Sequence, residues 1–230
     1  MSGREGPRLQ PASALTSLRE TKALTDIETT PAPDAGTAMP ILNTARLQIR
    51  PIRADDLNAC HQLYLDIGWT DPDRSDAENY ARRRSWVDWS IANERELARL
   101  NQPPMGERTV IDRATGDFVG LVGLNPTLKP LGQLPSFGGA EHARNELEVG
   151  LFWAITPPRQ GEGLASEAAQ TVIDYMFEVR RLGRIVATTD NDNHASIGVM
   201  RRLGMRIEAN PFPDPFYFQT IGILDAEARR

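Results

Sequence analysis

The sequence predicts an α/β domain built on a mixed sheet, and three stretches carry that prediction. ARLQIRPI, residues 45–52, alternates between apolar and polar side chains as a strand does. ELEVGLFWAI, residues 146–155, is a nearly continuous apolar run, typical of a strand buried on both faces. Residues 162–180 then place apolar side chains on one helical stripe. Strands and helices follow one another along the chain, which is the pattern of an α/β fold.

The first half of the domain predicts one strand, two helices and a hairpin. After the strand, ADD at residues 54–56 opens a helix, and a second helical stretch extends from about residue 75 to 100. Its candidate inward-facing side chains are Tyr80, Trp86, Trp89 and Leu97. RTVID and DFVGLVGL then flank a turn that contains Gly116, which indicates a β-hairpin.

The second half predicts a long loop followed by alternating strands and helices. Residues 125–145 are rich in Gly and Pro, and a loop of that length is either functional or an inert insertion. The elements after ELEVGLFWAI are a helix over 162–180, the strand RIVATTD, the helix NHASIGVMRRL ending at Gly204, and the terminal strand FYFQTIGIL.

Residues 1–40 differ from the rest of the chain. They are rich in Pro, Thr, Ala and Gly and have no sustained apolar period. Such a segment buries too little surface to offset the entropy of ordering, so we expect a disordered tail before a single domain over 41–230. An alternative is that native translation begins at Met39, which the intact mass of the native protein would test.

The composition excludes several classes of function. The formal net charge is −5, which argues against a nucleic-acid partner. No apolar run approaches the roughly 20 residues that span a bilayer, and no signal-peptide core follows the amino terminus. We therefore expect a cytoplasmic protein without a membrane partner, and a monomer or a homodimer is equally compatible with the sequence.

The reactive side chains predict neither a metal site nor a thiol nucleophile. Cys60 is the only cysteine and falls within a helical pattern, where a buried inert thiol is expected. The three histidines are scattered along the chain and do not have the spacing of metal ligands. The basic run at residues 82–84 favours a solvated helix face.

The segment PPRQGEGLASEA, residues 157–168, places two glycines where a strand gives way to a helix. The phosphate-binding loop of nucleoside triphosphatases requires a lysine. No lysine is present in this segment, so that kind of site is excluded. The dinucleotide fingerprint requires a third glycine or an alanine where this chain has Ser166. A third device fits: residues 160–165, QGEGLA, match the pattern Q/R-x-x-G-x-G/A.

That pattern resembles the pyrophosphate loop of the Gcn5-related N-acetyltransferases, the GNAT superfamily. WAITPPRQGEGLASEA, followed by RIVATTDNDNHASIGVMRRLGM, is similar to the core of that superfamily, and closest to its RimJ/RimL-like branch. TARLQIRPIRADDL resembles the usual opening of such domains. The resemblance spans roughly residues 41–224 and implies a mixed, mostly antiparallel central sheet, flanked by helices and splayed at its central strands.

The resemblance implies acetyl-CoA as co-substrate, with no metal. Backbone N–H groups at the glycine turn would face its pyrophosphate, because the first turn of a helix has unpaired donors. Glu162 departs from the basic or neutral residue common there, and its carboxylate would repel pyrophosphate unless it points away. The implied cofactor-binding residues are Trp153, Ala154, Ile155, Gln160, Gly161, Gly163, Leu164, Ala165, Ser166 and Asn193.

The resemblance also implies direct attack of an amine on the thioester, without an acyl-enzyme. A carboxylate acting through water would take the amine proton, and Glu148 is the candidate, with Glu146 on the same face. Binding the amine, or pairing with an arginine, is an alternative role for Glu148. Many relatives have a tyrosine that donates a proton to the sulfur of the departing coenzyme A, but this chain has Met200 there. The resemblance makes Ser196 the candidate donor instead. The alternative role of its hydroxyl is a hydrogen bond to a backbone carbonyl within its own helix.

The resulting prediction is an N-acetyltransferase that moves an acetyl group to a primary amine. The acceptor would be a small molecule or a protein amino terminus, walled by the loop at 125–145, the helix at 75–100 and the PFPDPF segment. The alternative is a non-catalytic acyl-CoA-binding or sensing domain. Three departures from the family pattern favour it: the tyrosine common at position 200 is missing, Glu148 lies further from the glycine turn than its counterpart in many relatives, and Glu162 is acidic.

Overall fold

A computed structural model describes residues 38–103 and 105–229. The predicted tail lies outside these residues except for its last three positions. Within them, Met39 is 3% exposed and its carbonyl accepts a hydrogen bond from the buried Arg108 guanidinium. The folded domain therefore includes Met39.

The described residues form eight strands and four α-helices. The strands are β1 (Leu42–Asn43), β2 (Leu47–Pro51), β3 (Gly106–Asp112), β4 (Phe118–Lys129), β5 (Glu146–Ile155), β6 (Arg184–Thr189), β7 (Arg206–Ala209) and β8 (Thr220–Asp225). The helices are α1 (Leu57–Asp66), α2 (Asp76–Arg99), α3 (Leu164–Asp174) and α4 (His194–Arg202), and a π-helical turn, Tyr175–Val179, extends α3.

The strands form one sheet in the order β1-β2-β3-β4-β5-β6-β8-β7. All neighbours pair antiparallel except β5 and β6, which pair in parallel through a single residue pair, Gly150 with Val186. Beyond that pair the last five residues of β5 have no strand partner on the β6 side, among the residues described. The sheet is therefore mixed, mostly antiparallel and splayed at its centre, as the sequence predicted.

Helices cover the two faces of the sheet unequally. The largest core lies between one face and helices α3 and α4, where Ala168, Val172 and Met200 are fully buried. On the opposite face, α1 and α2 cover the strands up to β5, and a separate apolar cluster below residues 131–137 covers β6 and β8.

A buried ion pair fixes the start of α1 to the sheet. Both terminal guanidinium nitrogens of Arg50, on β2, donate to the Asp56 carboxylate at 2.7 Å, and the Thr109 hydroxyl of β3 donates to it at 2.9 Å. The side chains of Arg50 and Asp56 are only 9% and 7% exposed. This pair anchors the layer formed by α1 and α2.

Several predicted elements have different limits in the structure. Strand β4 runs on to Lys129, inside the stretch predicted as loop, because its last five residues pair with β5. Strand β7 was not predicted separately, since its alternation of polar and apolar side chains extends over only four residues. Trp89, predicted to face inward, is 55% exposed. Val87 and Ser90 occupy the inward face of α2 instead.

The structure also bears on the predictions about the cysteine, a membrane span and a metal site. Cys60, on α1, is buried in the cluster between this helix, α2 and the sheet, and burial raises the pKa of its thiol to about 12, as expected for an inert cysteine. No helix in the described part of the chain is long and apolar enough to cross a membrane. Within that same part, no three His, Cys, Asp or Glu side chains are grouped to hold a metal ion.

Candidate active site

The glycine turn joins the end of β5 to the start of α3. Gly161 and Gly163 have φ angles of +83° and +79°, in the left-handed region that favours glycine. A Cβ atom on Gly161 would meet nothing within 4 Å, so the turn presents open space there. The first turn of α3 leaves the N–H groups of Leu164, Ala165 and Ser166 without helical partners.

Two side chains hold this turn in place. The Gln160 amide donates to the Ile155 carbonyl at 2.9 Å, which ties the turn to the last residue of β5. Arg46, just before β2, donates to the Glu162 carbonyl at 3.0 Å and pairs with the Glu167 carboxylate on α3. The turn is thereby fixed from the strand on one side and from β2 on the other.

Glu162 is neutralised within the protein. Both of its carboxylate oxygens accept hydrogen bonds from Arg159 at 2.9 Å, and the same guanidinium donates to Asp112 at 2.9 Å. The hydrogen bond from Arg159 lowers the pKa of Glu162, so its carboxylate is ionised and paired at neutral pH. The repulsion expected from this departure is therefore reduced by an arginine three residues earlier, whose charge Glu162 shares with Asp112.

The splay exposes backbone donors on β5. Thr156 donates to the Val119 carbonyl at 3.0 Å, and the register between β4 and β5 is unbroken. Alternate residues of an antiparallel strand bond to the same neighbour, so Ala154 bonds towards β4. Trp153 and Ile155 direct their N–H groups towards β6, where the strands have already separated. Of the adjacent cofactor-binding candidates Ala154 and Ile155, only Ile155 therefore has its N–H in the splay.

The start of α4 supplies two further candidates. Asn193 is the N-cap of this helix, and its side-chain oxygen accepts from the Ser196 N–H at 3.0 Å. The Ser196 hydroxyl has no hydrogen-bond partner among residues 38–103 and 105–229, so the helix-internal bond considered for it is not formed there. Met200 lies one turn later and is fully buried in the core.

Glu148 lies on the closed side of the splay. Its carboxylate accepts from Arg184 of β6 at 3.2 Å, and Arg184 also donates to Asp225 of β8 at 2.7 Å. Glu146, on the same face, is exposed. Because Glu148 precedes the Gly150–Val186 pair, the arginine joins three strands at the base of the opening.

The other candidate residues lie where α3 meets α4. The Ser166 hydroxyl accepts from Arg202 of α4 at 3.0 Å, so that hydroxyl already has a partner within the protein. Leu164 is buried in the core, and Ala165 and Trp153 pack against it while remaining partly exposed. Strands β5 and β6 are parallel, so the turn after β5 and the start of α4 after β6 lie at the same end of the sheet, and Glu148 lies before the pair at which the two strands join.

A cleft lies at the junction of α1 and α2, and the sequence did not predict it as a defined site. It has a volume of about 350 Å³, and we name it the α1–α2 cleft. It is lined by Trp69, Thr70, Asp71, Asn79, Arg82, Arg83 and Trp86. The indole of Trp69 lies 5.6 Å from the ring of Phe152, the residue before Trp153 on β5. The cleft therefore adjoins the strand that borders the splay.

The three consecutive arginines of α2 have different surroundings, although the run predicted one solvated face. Arg82 and Arg84 are exposed, but Arg83 is half-buried with its guanidinium carbon 3.2 Å from the centre of the Tyr64 ring. Trp86 flanks it at 5.0 Å. The signal in the sequence was the spacing of three between Tyr80, Arg83 and Trp86, which places them on one helix face.

The chain belongs to the GNAT acetyltransferase family, as its fold and glycine turn indicate. The family's acetyltransferase (GNAT) domain matches residues 46–206, which confirms the resemblance seen in the sequence. Membership of this family makes the protein an acyltransferase.

Among its relatives is the spermidine N(1)-acetyltransferase of Escherichia coli K12, 27% identical over 165 residues, which are 70% of this chain and 74% of the relative. An acetyltransferase structure from Bacillus anthracis has a TM-score of 0.57 at 23% identity and covers 82% of this chain and 99% of its own. The ribosomal-protein-S5-alanine acetyltransferase of Vibrio fischeri also has a TM-score of 0.57, at 17% identity. That match covers 84% of this chain and 100% of the Vibrio protein. At these identities the two structures show the shared fold.

Proposed function

We propose that the protein transfers an acetyl group from acetyl-CoA to a primary amine by direct attack, without an acyl-enzyme. The observation that carries the proposal is the splay of β5 from β6 beside the glycine turn. The turn offers unpaired N–H groups to two phosphates, and the splay offers N–H groups to an extended amide chain. One opening can therefore take both parts of coenzyme A.

The residues present fit the pyrophosphate and the pantetheine chain. Gly161 has open space where a side chain would stand, so phosphate oxygens can approach the backbone closely. Trp153 and Ile155 would pair with the cofactor amides as a neighbouring strand would. When bound, the cofactor supplies an activated thioester. Gln160, which ties the turn to β5, and Asn193, the N-cap of α4, would contact its phosphate or pantetheine.

The chain's own part in the chemistry is orientation, charge stabilisation and proton handling. Holding two reactants in the correct geometry is worth about 7–11 kcal/mol. The Ile155 N–H would donate to the thioester oxygen as negative charge develops there, and such a donor is worth about 3–4 kcal/mol. The C–N bond forms as the C–S bond breaks, the amine loses a proton and the sulfur gains one. Ser196, whose hydroxyl has no hydrogen-bond partner among the described residues, would donate to sulfur.

We propose Glu148 as the acceptor of the amine proton, through water. Its ion pair with Arg184 gives equal support to the alternative that it binds the amine or only joins the strands. Glu148→Gln separates these roles. Loss of a base removes the acidic limb of the kcat/KM profile, whereas loss of a binding contact raises KM and leaves the shape of the profile unchanged.

Two measurements on the full chain test the proposal. Titration calorimetry compares acetyl-CoA with NADH, and thiol release is then followed with spermidine and with short peptides as acceptors. We expect micromolar binding of acetyl-CoA alone and amine-dependent thiol release. Binding of NADH alone would contradict the cofactor assignment, and binding of acetyl-CoA with no transfer to any amine would support the non-catalytic alternative.

A further inference from the structure

The α1–α2 cleft contains an arginine whose charge is not matched by any carboxylate in contact with it. Arg83 forms no ion pair among the described residues, and its Nε is buried there without a hydrogen-bond partner. Burial lowers the pKa of this guanidinium, although it stays protonated at neutral pH. A desolvated cation with aromatic neighbours is stabilised further by an anion that enters the same space.

The acidic groups around Arg83 do not already fill that role. Asp71 lies in the cleft, but its carboxylate accepts from Arg74 at 2.8 Å and from Arg82 at 3.0 Å. Glu107 of β3 faces Arg83 from the sheet without forming an ion pair with it, and burial raises the pKa of its carboxyl. Burial likewise raises the pKa of Tyr64 to about 12, so its phenol is neutral at physiological pH.

The surroundings of Arg83 also fix its orientation. The guanidinium lies over the Tyr64 ring and beside Trp86, which limits its rotation. A planar guanidinium held in this way presents its remaining donors in the fork geometry that matches a carboxylate. The cleft volume of about 350 Å³ falls within the range of small-molecule sites.

The position of the cleft relates it to the reaction. Trp69 forms one wall of the cleft and contacts Phe152, and the next residue on β5 has its N–H in the splay. A molecule that places its amine at the splay can therefore extend past Phe152 into the cleft.

We infer that the acceptor is an amine that also carries a carboxylate, and that Arg83 binds this carboxylate in the α1–α2 cleft. The inference rests on the proposed function. An amino acid and the acidic amino terminus of a peptide share this chemistry. A polyamine does not, because its second cation would face the Arg83 guanidinium. Trp69 and Trp86 would contact the part of the acceptor between its amine and its carboxylate.

The test compares acceptors that differ only in a carboxylate. At saturating acetyl-CoA, kcat/KM is measured for tryptophan against tryptamine, and for glutamyl-alaninamide against glutaminyl-alaninamide, with spermidine as the polycation. We expect roughly a tenfold to hundredfold preference for the carboxylate in at least one pair, since a hydrogen bond to a charged group has about that effect. The two pairs distinguish a free amino acid from a peptide.

Arg83→Gln should reduce that preference to near one, and Arg83→Lys should keep part of it. Arg84→Gln is the matched control, because Arg84 is exposed on the same helix and does not line the cleft. Its preference should equal that of the wild type. Thermal unfolding of each variant shows whether it is folded. If Arg83→Gln does not fold, the carboxylate preference of Arg83→Lys decides the test.

A second measurement does not depend on turnover. N-acetylglutamate and N-acetylcadaverine, an anionic and a cationic product, are titrated against tryptophan fluorescence in the wild type and in Arg83→Gln. Saturable quenching by the anionic product in the wild type alone supports the inference. Equal rates within each pair, preference for spermidine, or no quenching by N-acetylglutamate overturns it. Failure of acetyl-CoA to bind contradicts the proposed function instead, and leaves the fluorescence result to decide on the cleft.

Discussion

The glycine turn and the α1–α2 cleft both adjoin β5 and are built in opposite ways. The turn offers backbone N–H groups, and the arginines around it, Arg46 and Arg159, are already paired with carboxylates of the chain. The cleft offers side chains, and its Arg83 has no such partner among the residues described. A backbone site can bind a ligand common to a whole family, whereas a side-chain site sets what differs between members.

The largest effect is expected from loosening the layer that carries the cleft while leaving the turn intact. Asp56→Ala removes one partner of a buried ion pair and leaves Arg50 uncompensated, which costs about 3–5 kcal/mol of unfolding free energy. Asp76→Ala is the control, because that carboxylate is 74% exposed and its pair with His61 contributes less than about 1 kcal/mol. Urea denaturation measures both, and equal losses would contradict the role given to Asp56.

The same carboxylate predicts a pH dependence. Burial alone would raise the pKa of Asp56, but hydrogen bonds from Arg50, the Arg53 N–H and Thr109 outweigh it, so the folded-state pKa is lowered. Its stabilisation is then complete above the unfolded pKa of about 3.9 and is lost as the pH falls through the folded-state pKa. The difference in unfolding free energy between wild type and Asp56→Ala should be constant above about pH 5 and shrink below about pH 4.

The second effect concerns turnover at the splay. Ser196→Ala should lower kcat on the order of a hundredfold, the lower range for a positioned proton donor, with acetyl-CoA affinity unchanged. Steady-state kinetics and calorimetry measure the two quantities. The control is Ser85→Ala, because the Ser85 hydroxyl donates to the Ala81 carbonyl on α2 and has no place in the site. A kcat within twofold of the wild type would remove Ser196 from the mechanism.

A smaller effect is expected from strain in the turn. Gly163→Ala forces a side chain into a left-handed conformation at a cost of about 1–2 kcal/mol, so acetyl-CoA should bind roughly tenfold more weakly if the turn shifts to relieve it. Gly116→Ala carries the same strain at φ +81° in the hairpin between β3 and β4. It should lower stability by a similar amount without changing acetyl-CoA affinity. If both variants weaken binding equally, the turn has no special part in it.

The smallest effect tests the neutralisation of Glu162. Arg159→Gln leaves this carboxylate unpaired beside the turn, so acetyl-CoA should bind roughly two- to fivefold more weakly, and less so at high salt. Adding Glu162→Gln to that variant should restore affinity. Arg99→Gln, which breaks a similarly spaced surface pair with Glu96, is the control and should leave affinity unchanged. A double variant that binds no better than Arg159→Gln would show that Glu162 does not repel the cofactor.

The sequence by itself determined the α/β class, the strand at 146–155, the glycine turn and the start of α4, because these depend on local patterns. Alternation, apolar runs, caps and left-handed turns are set by residues close to one another in the chain. The family resemblance rested on the same local segments, and the family match over residues 46–206 confirms it.

The tertiary structure alone decided which charges are paired and which are not. Arg83 and Arg84 are adjacent and chemically identical, yet one lies over the Tyr64 ring and the other faces solvent. Glu148 meets Arg184 only because β5 and β6 join at a single pair. Such contacts join residues far apart in the chain, and electrostatic interactions depend on distance and burial in the folded protein, which no local pattern of the sequence encodes.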